Sequence, residues 1–307
     1  MSVKSVTQTL LDEFRSRPTL RAGSLIITVF GDAVAPRGGT VWIGSLIKVL
    51  ADFGVSERLV RTSVYRLIKD DWLTVDQQGR RSYYSLSPEG ERRFDQATTR
   101  IYGEPRQSWS GDWCLVLLAD LDAEQKELAR RELRWLGFGA ISTSVLAHPS
   151  PDIAELETSL KQNGLQQKLL VMQGRTLGKN RDEALRDLVH KSWNLAEIDD
   201  RYASFVDRFR PALKALRKSV SCDSRNAFLI RTLLLQEYRK TLLRDPLLPA
   251  ELLPANWHGT AAYQLCRNLY RLVCEQADDY MSSELETADG PLPLPSAEFY
   301  ERFGGLK

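Results

Sequence analysis

"GVSERLVRTSVYRLIKDDWL", residues 54–73, is the stretch on which the reading of the whole chain turns. Val60, Val64, Leu67 and Ile68 recur at helical spacing and predict a helix with one buried face. Ser56 is a good N-cap, and Glu57 follows in the first turn, where the helix dipole favours an anion. The opposite face gathers Arg58, Arg61, Thr62, Tyr65, Arg66 and Lys69. Any solvated surface helix can carry such a face. The flanks decide what these arginines are for.

Upstream, "TLRAGSLIITVFGDAV" predicts a first helix, apolar at Leu25, Ile26, Val29 and Phe30 and ended by Pro36 and two glycines in "APRGG". "TVWI" is a short β-rich run. "GSLIKVLADF" predicts a second helix with Leu46, Val49, Leu50 and Phe53 on one side, and Gly54 makes the turn into the arginine-bearing helix. Downstream the period changes to two: "WLTVD" and "RSYYSL" read as strands around a turn at Gly79. Ser87 as N-cap and Pro88 at the first helical position then open another helix. Helix, short strand, helix, turn, helix and hairpin is the winged-helix order. The expected partner is therefore double-stranded DNA. In such a domain the N-terminal half of the recognition helix enters the major groove, where arginine grips guanine bidentately. Arg58, Arg61, Thr62 and Tyr65 lie there. Arg66, Lys69 and the hairpin-tip Arg80 and Arg81 are better placed for phosphates. With Ser56 at the cap, these nine residues are the expected DNA-binding set.

Bulk composition agrees with local rather than global attraction. The 307 residues carry a net charge of only +2, but residues 1–100 hold 15 lysines and arginines against 11 acids. Cys114, Cys222, Cys266 and Cys274 form no CxxC pair, and His148, His190 and His258 are scattered, so neither a disulfide framework nor a structural zinc site is expected. No metal or cofactor is expected at all. "MSVKSVTQTLLDEF" has acidic residues and no long apolar core, unlike a signal peptide, and no run approaches the ~20 apolar residues of a membrane helix. A cytoplasmic protein with no membrane partner is expected.

The middle of the chain, residues 101–190, alternates differently. "CLVLLADLD" reads as a buried strand, "AEQKELARRELRWLGF" as a helix with apolar Leu128, Leu133, Trp135 and Leu136. "GAISTSVLAH", helical "DIAELETSLKQNGL" and strand "KLLVMQG" complete a ferredoxin-like order. The stretch from Cys114 to His148 resembles the Cas2-like domains of the CRISPR nuclease family, in which a carboxylate at the end of the first strand binds a metal. Asp120 occupies that place, so a metal-dependent nuclease using Asp120 and Asp122 is an alternative. Asp122 also makes an ordinary N-cap for the next helix, and no further acidic cluster accompanies it. A scaffold that pairs two subunits into a homodimer is the favoured role.

From residue 191 the sequence is mostly helical. "NAFLIRTLLLQEYRKTLLR" is apolar almost all round and predicts a central buried helix; "DPLLPAELLPANWHG" is a proline-punctuated loop. "TAAYQLCRNLYRLVCEQADDYM" is a helix striped by Leu265, Leu269, Leu272 and Val273. Taken with "VRTSVYRLIKDDWL", "GRRSYYSLSPEG", "WCLVLLADL" with "LRWLGFG", and "YRKTLLRDPLLPAELLPANWHG", the whole chain resembles the PaaX family of phenylacetate-catabolism repressors. The resemblance implies an α+β protein with an N-terminal winged helix (1–100), a central Cas2-like dimerisation domain (101–190) and a helical effector-binding domain (191–307). It implies a dimeric repressor, not an enzyme, that phenylacetyl-CoA or another aromatic acyl-CoA releases from its operator. A hydrolase is disfavoured, because there is no G-x-S-x-G elbow and His258 has no matching Ser/Asp set.

An acyl-CoA needs basic side chains beside an apolar, aromatic-lined pocket. Arg231, Tyr238, Arg239, Lys240, Arg244, Trp257 and His258 are the expected effector-binding set. Arg231 falls in line with Phe228, Leu235, Tyr238 and Leu242 and must meet an anion, either the ligand or an aspartate such as Asp245 or Asp207.

Overall fold

The computed structural model describes residues 2–18, 21–104, 109–119, 121–176, 182–219 and 221–306. Its contacts gather into two compact units. The first comprises Met1–Glu104, Ala203–Lys240 and Thr260–Lys307, the second Pro105–Tyr202 and Thr241–Gly259. Residues beyond 191 thus contribute to both.

The first unit opens with α1 (Val3–Arg15), a helix the sequence reading did not assign. Ser2 caps it, and Val3, Val6, Leu10, Leu11 and Phe14 bury one face at helical spacing. Next comes α2 (Ala22–Val29), with Leu25, Ile26, Val29 and Phe30 buried as predicted. The chain continues through a wider π turn at Phe30–Val34 and stops at Gly38 and Gly39, whose φ values of +86° and +72° suit glycine. Strand β1 (Thr40–Trp42) leads into α3 (Ile43–Ala51), and Gly54, at φ +80°, turns the chain into α4 (Glu57–Lys69). Strands β2 (Leu73–Gln78) and β3 (Arg81–Leu86) pair antiparallel, and β1 adds to β3, giving the sheet order β1-β3-β2. Helix α5 (Pro88–Tyr102) begins where Ser87 Oγ accepts from the Gly90 N–H at 2.9 Å.

The second unit holds a four-stranded antiparallel sheet. Its members are β4 (Asp112–Leu117), β5 (Gly139–Ala140), β6 (Val145–His148) and β7 (Leu170–Arg175), ordered β5-β6-β4-β7. With α6 (Ala123–Trp135) and α7 (Ile153–Gln162) between the strands, this is the ferredoxin-like arrangement. Val116, Leu118, Ala129, Leu133, Leu146 and Leu156 form one core. On the other face Trp113 and Ala147 pack with Val189 and Trp193 of α8 (Asp182–Trp193) and with Leu248 and Leu252. One predicted core residue is corrected here: Trp135 is 77% exposed. It stands two residues past Leu133, which carries it to nearly the opposite side of α6.

Three long helices follow: α9 (Leu195–Lys218), α10 (Ser224–Leu242) and α11 (His258–Glu284). Every residue from 227 to 236 of α10 is buried, as expected of a helix apolar all round. On α11, Leu265, Leu269 and Val273 are buried but Leu272 is 43% exposed, because Cys266, Tyr270 and Cys274 extend the buried face in the other direction. The chain ends with the short pair β8 (Glu286–Thr287) and β9 (Gly290–Pro291) and a turn of helix, α12 (Ala297–Tyr300). Among the described residues no helix is long and apolar enough to cross a membrane.

Candidate nucleic-acid interface

Helix α4 takes the orientation its pattern predicts. Val60, Val64 and Leu67 are buried, joined by Ser63, while Ile68 is half-buried. Ser56 Oγ caps the helix by accepting from the Leu59 N–H at 3.4 Å. Arg58, Arg61, Thr62, Tyr65, Arg66 and Lys69 are all exposed, Tyr65 by 70%. An aromatic ring left that open gains nothing from the core and is free to meet a base or sugar. Arg61 is not free: its Nε and Nη2 reach back to Glu57 Oε1 at 2.9 and 2.8 Å. Thr62 Oγ1 donates to the Arg58 carbonyl at 2.8 Å. Arg58, Arg66 and Lys69 have no side-chain partner among the described residues.

The hairpin turns through two residues, since Gln78 pairs with Arg81. Gly79, at φ +62°, supplies the positive φ that such a tight turn requires at its first position. The two arginines predicted for its tip part company. Arg80 is exposed, with no partner among the described residues. Arg81 Nη1 donates to Glu286 Oε2 at 3.0 Å, and its guanidinium lies 4.3 Å from the centre of the Trp42 ring.

Behind this surface lies a charge cluster that the sequence did not announce. Asp32 Oδ1 accepts from the hydroxyls of Tyr102 at 2.9 Å and Tyr270 at 2.8 Å, and from Arg302 Nη1 at 3.0 Å. Its Oδ2 accepts from Arg231 Nε at 2.7 Å. Burial works against the charge of Asp32, but the guanidinium groups of Arg231 and Arg302 hold its carboxyl below the usual carboxylate range. Arg231 is fully buried and also pairs with Asp278, which Arg37 Nη2 meets at 2.6 Å. Segments from α5, α10, α11 and the chain's end thus close on one carboxylate of the π turn inside the first unit. The anion at Arg231 is therefore Asp32 with Asp278, and not Asp245 or Asp207. Asp245 accepts instead from the Tyr202 hydroxyl at 2.7 Å, and Asp207 lies 3.8 Å from Arg210.

The other residues expected at an effector site fall in both units. Arg231, Tyr238, Arg239 and Lys240 belong to the first unit; Arg244, Trp257 and His258 belong to the second. Lys240 Nζ donates to Glu237 Oε1 at 2.9 Å, and the buried Tyr238 packs 5.5 Å from Phe205. Arg239 Nη2 donates to the carbonyl and hydroxyl oxygens of Ser24, each at 3.0 Å. In the second unit His258 accounts for Asp199, donating its backbone N–H at 2.7 Å and meeting the second carboxylate oxygen with Nδ1 at 2.8 Å. That is a helix cap at the start of α11. Trp257 packs on Tyr202, and Arg244 is exposed. Asp122 is likewise a cap, accepting from the Gln125 N–H at 2.8 Å, and Asp120 lies outside the described residues.

Comparison with known proteins bears on all three parts of the chain. Residues 21–90 match the family described as PaaX-like protein, and 106–186 match the PaaX protein central Cas2-like domain. Residues 193–283 match the PaaX-like protein C-terminal domain. Over 284 residues the chain is 39% identical to the transcriptional repressor PaaX of Escherichia coli strain K12, spanning 92% of this chain and 90% of that one. A solved structure, the uncharacterized protein Rv0674 from Mycobacterium tuberculosis, shares the fold with a TM-score of 0.56 at 21% identity, covering 85% of this chain and 99% of that one.

Proposed function

The chain belongs to the PaaX family, and we propose that it is a transcriptional repressor that binds its operator through a winged helix formed by α3, α4 and the β2–β3 hairpin. One observation carries this reading. In a single compact unit, α4 turns its whole cationic and aromatic face outward and the hairpin beside it ends on Arg80, which has no partner among the described residues. On this reading α4 enters the major groove, with Arg58, Arg61, Thr62 and Tyr65 toward the bases. Arg66, Lys69 and Arg80 take phosphates, which fix register. Arg61 must exchange Glu57 for a guanine edge, an exchange between two solvent-exposed partners that costs little.

The ferredoxin-like domain, residues 101–190, pairs two subunits, and residues 191–307 receive an aromatic acyl-CoA, phenylacetyl-CoA first among them, that lifts repression of phenylacetate-degradation genes in the cytoplasm. Support for the pairing comes from the Cas2-like match and from the symmetry that operator half-sites impose. Support for the effector comes from the tie of α10 and α11, through Asp32, to the turn after α2, a helix that packs against α4.

Selection of duplexes from a random-sequence library by the purified full chain tests the reading. The expected result is one enriched, roughly palindromic site that the Arg58→Ala/Arg61→Ala double variant no longer enriches. Enrichment unchanged in that variant refutes the assignment of α4. Sedimentation of the full chain as a monomer at micromolar concentration refutes the pairing.

A further inference from the structure

The turn that launches α4 is held from outside the winged helix. Asp52 closes α3, and Phe53, Gly54 and Val55 carry the chain to the Ser56 cap. Both oxygens of the Asp52 carboxylate are engaged. Oδ1 accepts from Arg225 Nη2 at 2.6 Å, and Oδ2 accepts from Arg225 Nε at 3.1 Å and from the Tyr280 hydroxyl at 2.7 Å. The Asp52 backbone carbonyl accepts from Arg15 Nη2 at 2.7 Å. The same arginine covers Gly54, where a Cβ would stand 3.2 Å from its side chain. Phe53 is fully buried and meets the rings of Phe14 and Phe228 edge to face, at 6.2 and 5.8 Å between centres. Phe228 in turn stacks on Tyr280 at 4.9 Å. Helices α1, α10 and α11 thus all grip the turn before α4, and every one of these residues belongs to the first unit.

We propose that Asp52 is a positioning residue for DNA recognition, the point through which α10 and α11 set the direction of α4. This rests on the reading of α4 as the recognition helix. The apolar face of α4 packs through Val60, Val64 and Leu67, and apolar packing is non-directional. Direction must come from hydrogen bonds at the turn, and an error there grows along the ~20 Å that 13 helical residues span. The Asp52 side chain is 19% exposed and that of Arg225 52%, and an exposed pair joined by a single contact is worth little. Here the fork is bidentate, and a hydroxyl from a second helix fixes the same carboxylate, so the group has one position rather than several. Tyr280 stands two residues past Asp278, the carboxylate that Arg231 and Arg37 share. A movement of α11 that disturbs the buried cluster therefore also moves the hydroxyl on Asp52.

Affinity of the full chain for its selected duplex and for random duplex, measured well below the melting midpoint, tests this in Asp52→Asn, Tyr280→Phe and Arg225→Met. Charge alone would make Asp52→Asn bind DNA more tightly, because an anion near the cationic face is removed. Positioning gives the opposite sign. The expected result is about tenfold weaker binding of the selected duplex by Asp52→Asn, as the pose competent for the groove falls to about a tenth of the population. Random duplex is bound no more weakly than before, so the preference for the selected site shrinks. Tyr280→Phe keeps the ring and loses a smaller share of that preference, and it adds nothing when combined with Asp52→Asn. Arg225→Met weakens the selected duplex with the salt slope unchanged, and Arg225→Lys restores part of the loss. A slope flatter by ~0.9 in Arg225→Met makes that arginine a phosphate contact and overturns its part in the clamp. Unchanged or tighter binding of the selected duplex by Asp52→Asn, while the Arg58→Ala/Arg61→Ala variant still fails, overturns the proposal and leaves α4 as the recognition helix. Affinity that falls only in step with the folded fraction overturns it as well. A wild type that selects no duplex refutes the reading of α4 and the positioning role together.

Discussion

Arg231 and Arg239 stand eight residues apart on α10, and both have lost most of their water, yet their surroundings answer them differently. Around Arg231 the guanidinium meets Asp32 and Asp278 and lies over the Tyr270 ring, 4.6 Å from its centre. Around Arg239, among the described residues, the hydrogen-bond partner is Ser24, and Nε has none. The first arrangement closes a fold, because each charge is fixed by partners that come from distant parts of the chain. The second leaves one buried guanidinium nitrogen without a hydrogen-bond partner among the described residues. Burial of a charge therefore does not by itself show how that charge is compensated; its partners do.

The comparison breaks most readily at Asp32. Taking one partner from a buried ionic group leaves the others uncompensated, at a cost of roughly 3–5 kcal/mol. Asp32→Asn strips Arg302 of its carboxylate and leaves Arg231 with Asp278 alone, so its melting midpoint is expected to fall by about 10 °C. Arg239→Met in the same scan should not fall. Equal losses in the two variants would erase the distinction. The acid limb sharpens it further. The carboxyl of Asp32 is held below its ordinary value, so its contribution is fully present above the unfolded pKa of about 4 and is lost as pH falls through the folded pKa. Urea midpoints in acid should drop less steeply in Asp32→Asn than in the wild type.

On the DNA-reading surface the expected effects are smaller. Arg61→Ala removes one bidentate base contact, worth about 1–3 kcal/mol, and should relax preference at a single base pair in each half-site while the melting midpoint stays put. Binding competition against operators altered at one position at a time measures this. Uniform weakening across all sequences would instead make Arg61 a phosphate contact.

Which of these residues the sequence made legible follows from how local their environment is. The face of α4 was readable because i, i+3 and i+4 spacing orients a helix without reference to anything distant. Gly79 set the hairpin, and Ser56, Ser87 and Asp122 acted as caps, for the same reason. Trp135 and Leu272 were misplaced because an apolar residue near the border of a stripe can fall on either side, and only the packed neighbour decides. Asp32 left a faint trace, one carboxylate in the apolar run "TVFGDAV", but its partners stand 199 and 270 residues along the chain. The expectation that Arg231 needs an anion was sound physics. The partners are Asp32 and Asp278 rather than Asp245 or Asp207, because buried ion pairs do not respect nearness in sequence. Arg239 looked like its neighbour on paper and became distinct only when the missing carboxylate could be seen.

The hairpin offers the same contrast at lower cost, between Arg80, which has no partner among the described residues, and Arg81, which is engaged. Each phosphate contact that releases a counterion adds ~0.9 to the slope of log K against log salt. Arg80→Ala should flatten that slope by ~0.9 and weaken operator and random DNA alike. An unchanged slope would remove the hairpin tip from the backbone.

Arg81 calls for the opposite experiment. Its guanidinium is shared between the Trp42 ring, the Tyr83 side chain and the carboxylate of Glu286, and all four residues lie in the first unit. A DNA phosphate approaching the hairpin therefore competes with Glu286 for the same donors. Both partners of the pair are about half exposed, at 50% and 45%, so the competition is weak and is decided by salt. Glu286→Gln removes the anionic competitor and keeps the shape. The expected gain in affinity for random duplex DNA is no more than about threefold at low salt, with a slope steeper by up to ~0.9 as Arg81 joins the backbone contacts. Lys48, which pairs with Glu284 close by, provides the control: Glu284→Gln frees a lysine on α3 rather than the hairpin arginine. If Glu286→Gln leaves slope and affinity where they were, the Trp42 ring and Tyr83 hold Arg81 without it. The hairpin would then meet DNA through Arg80 only.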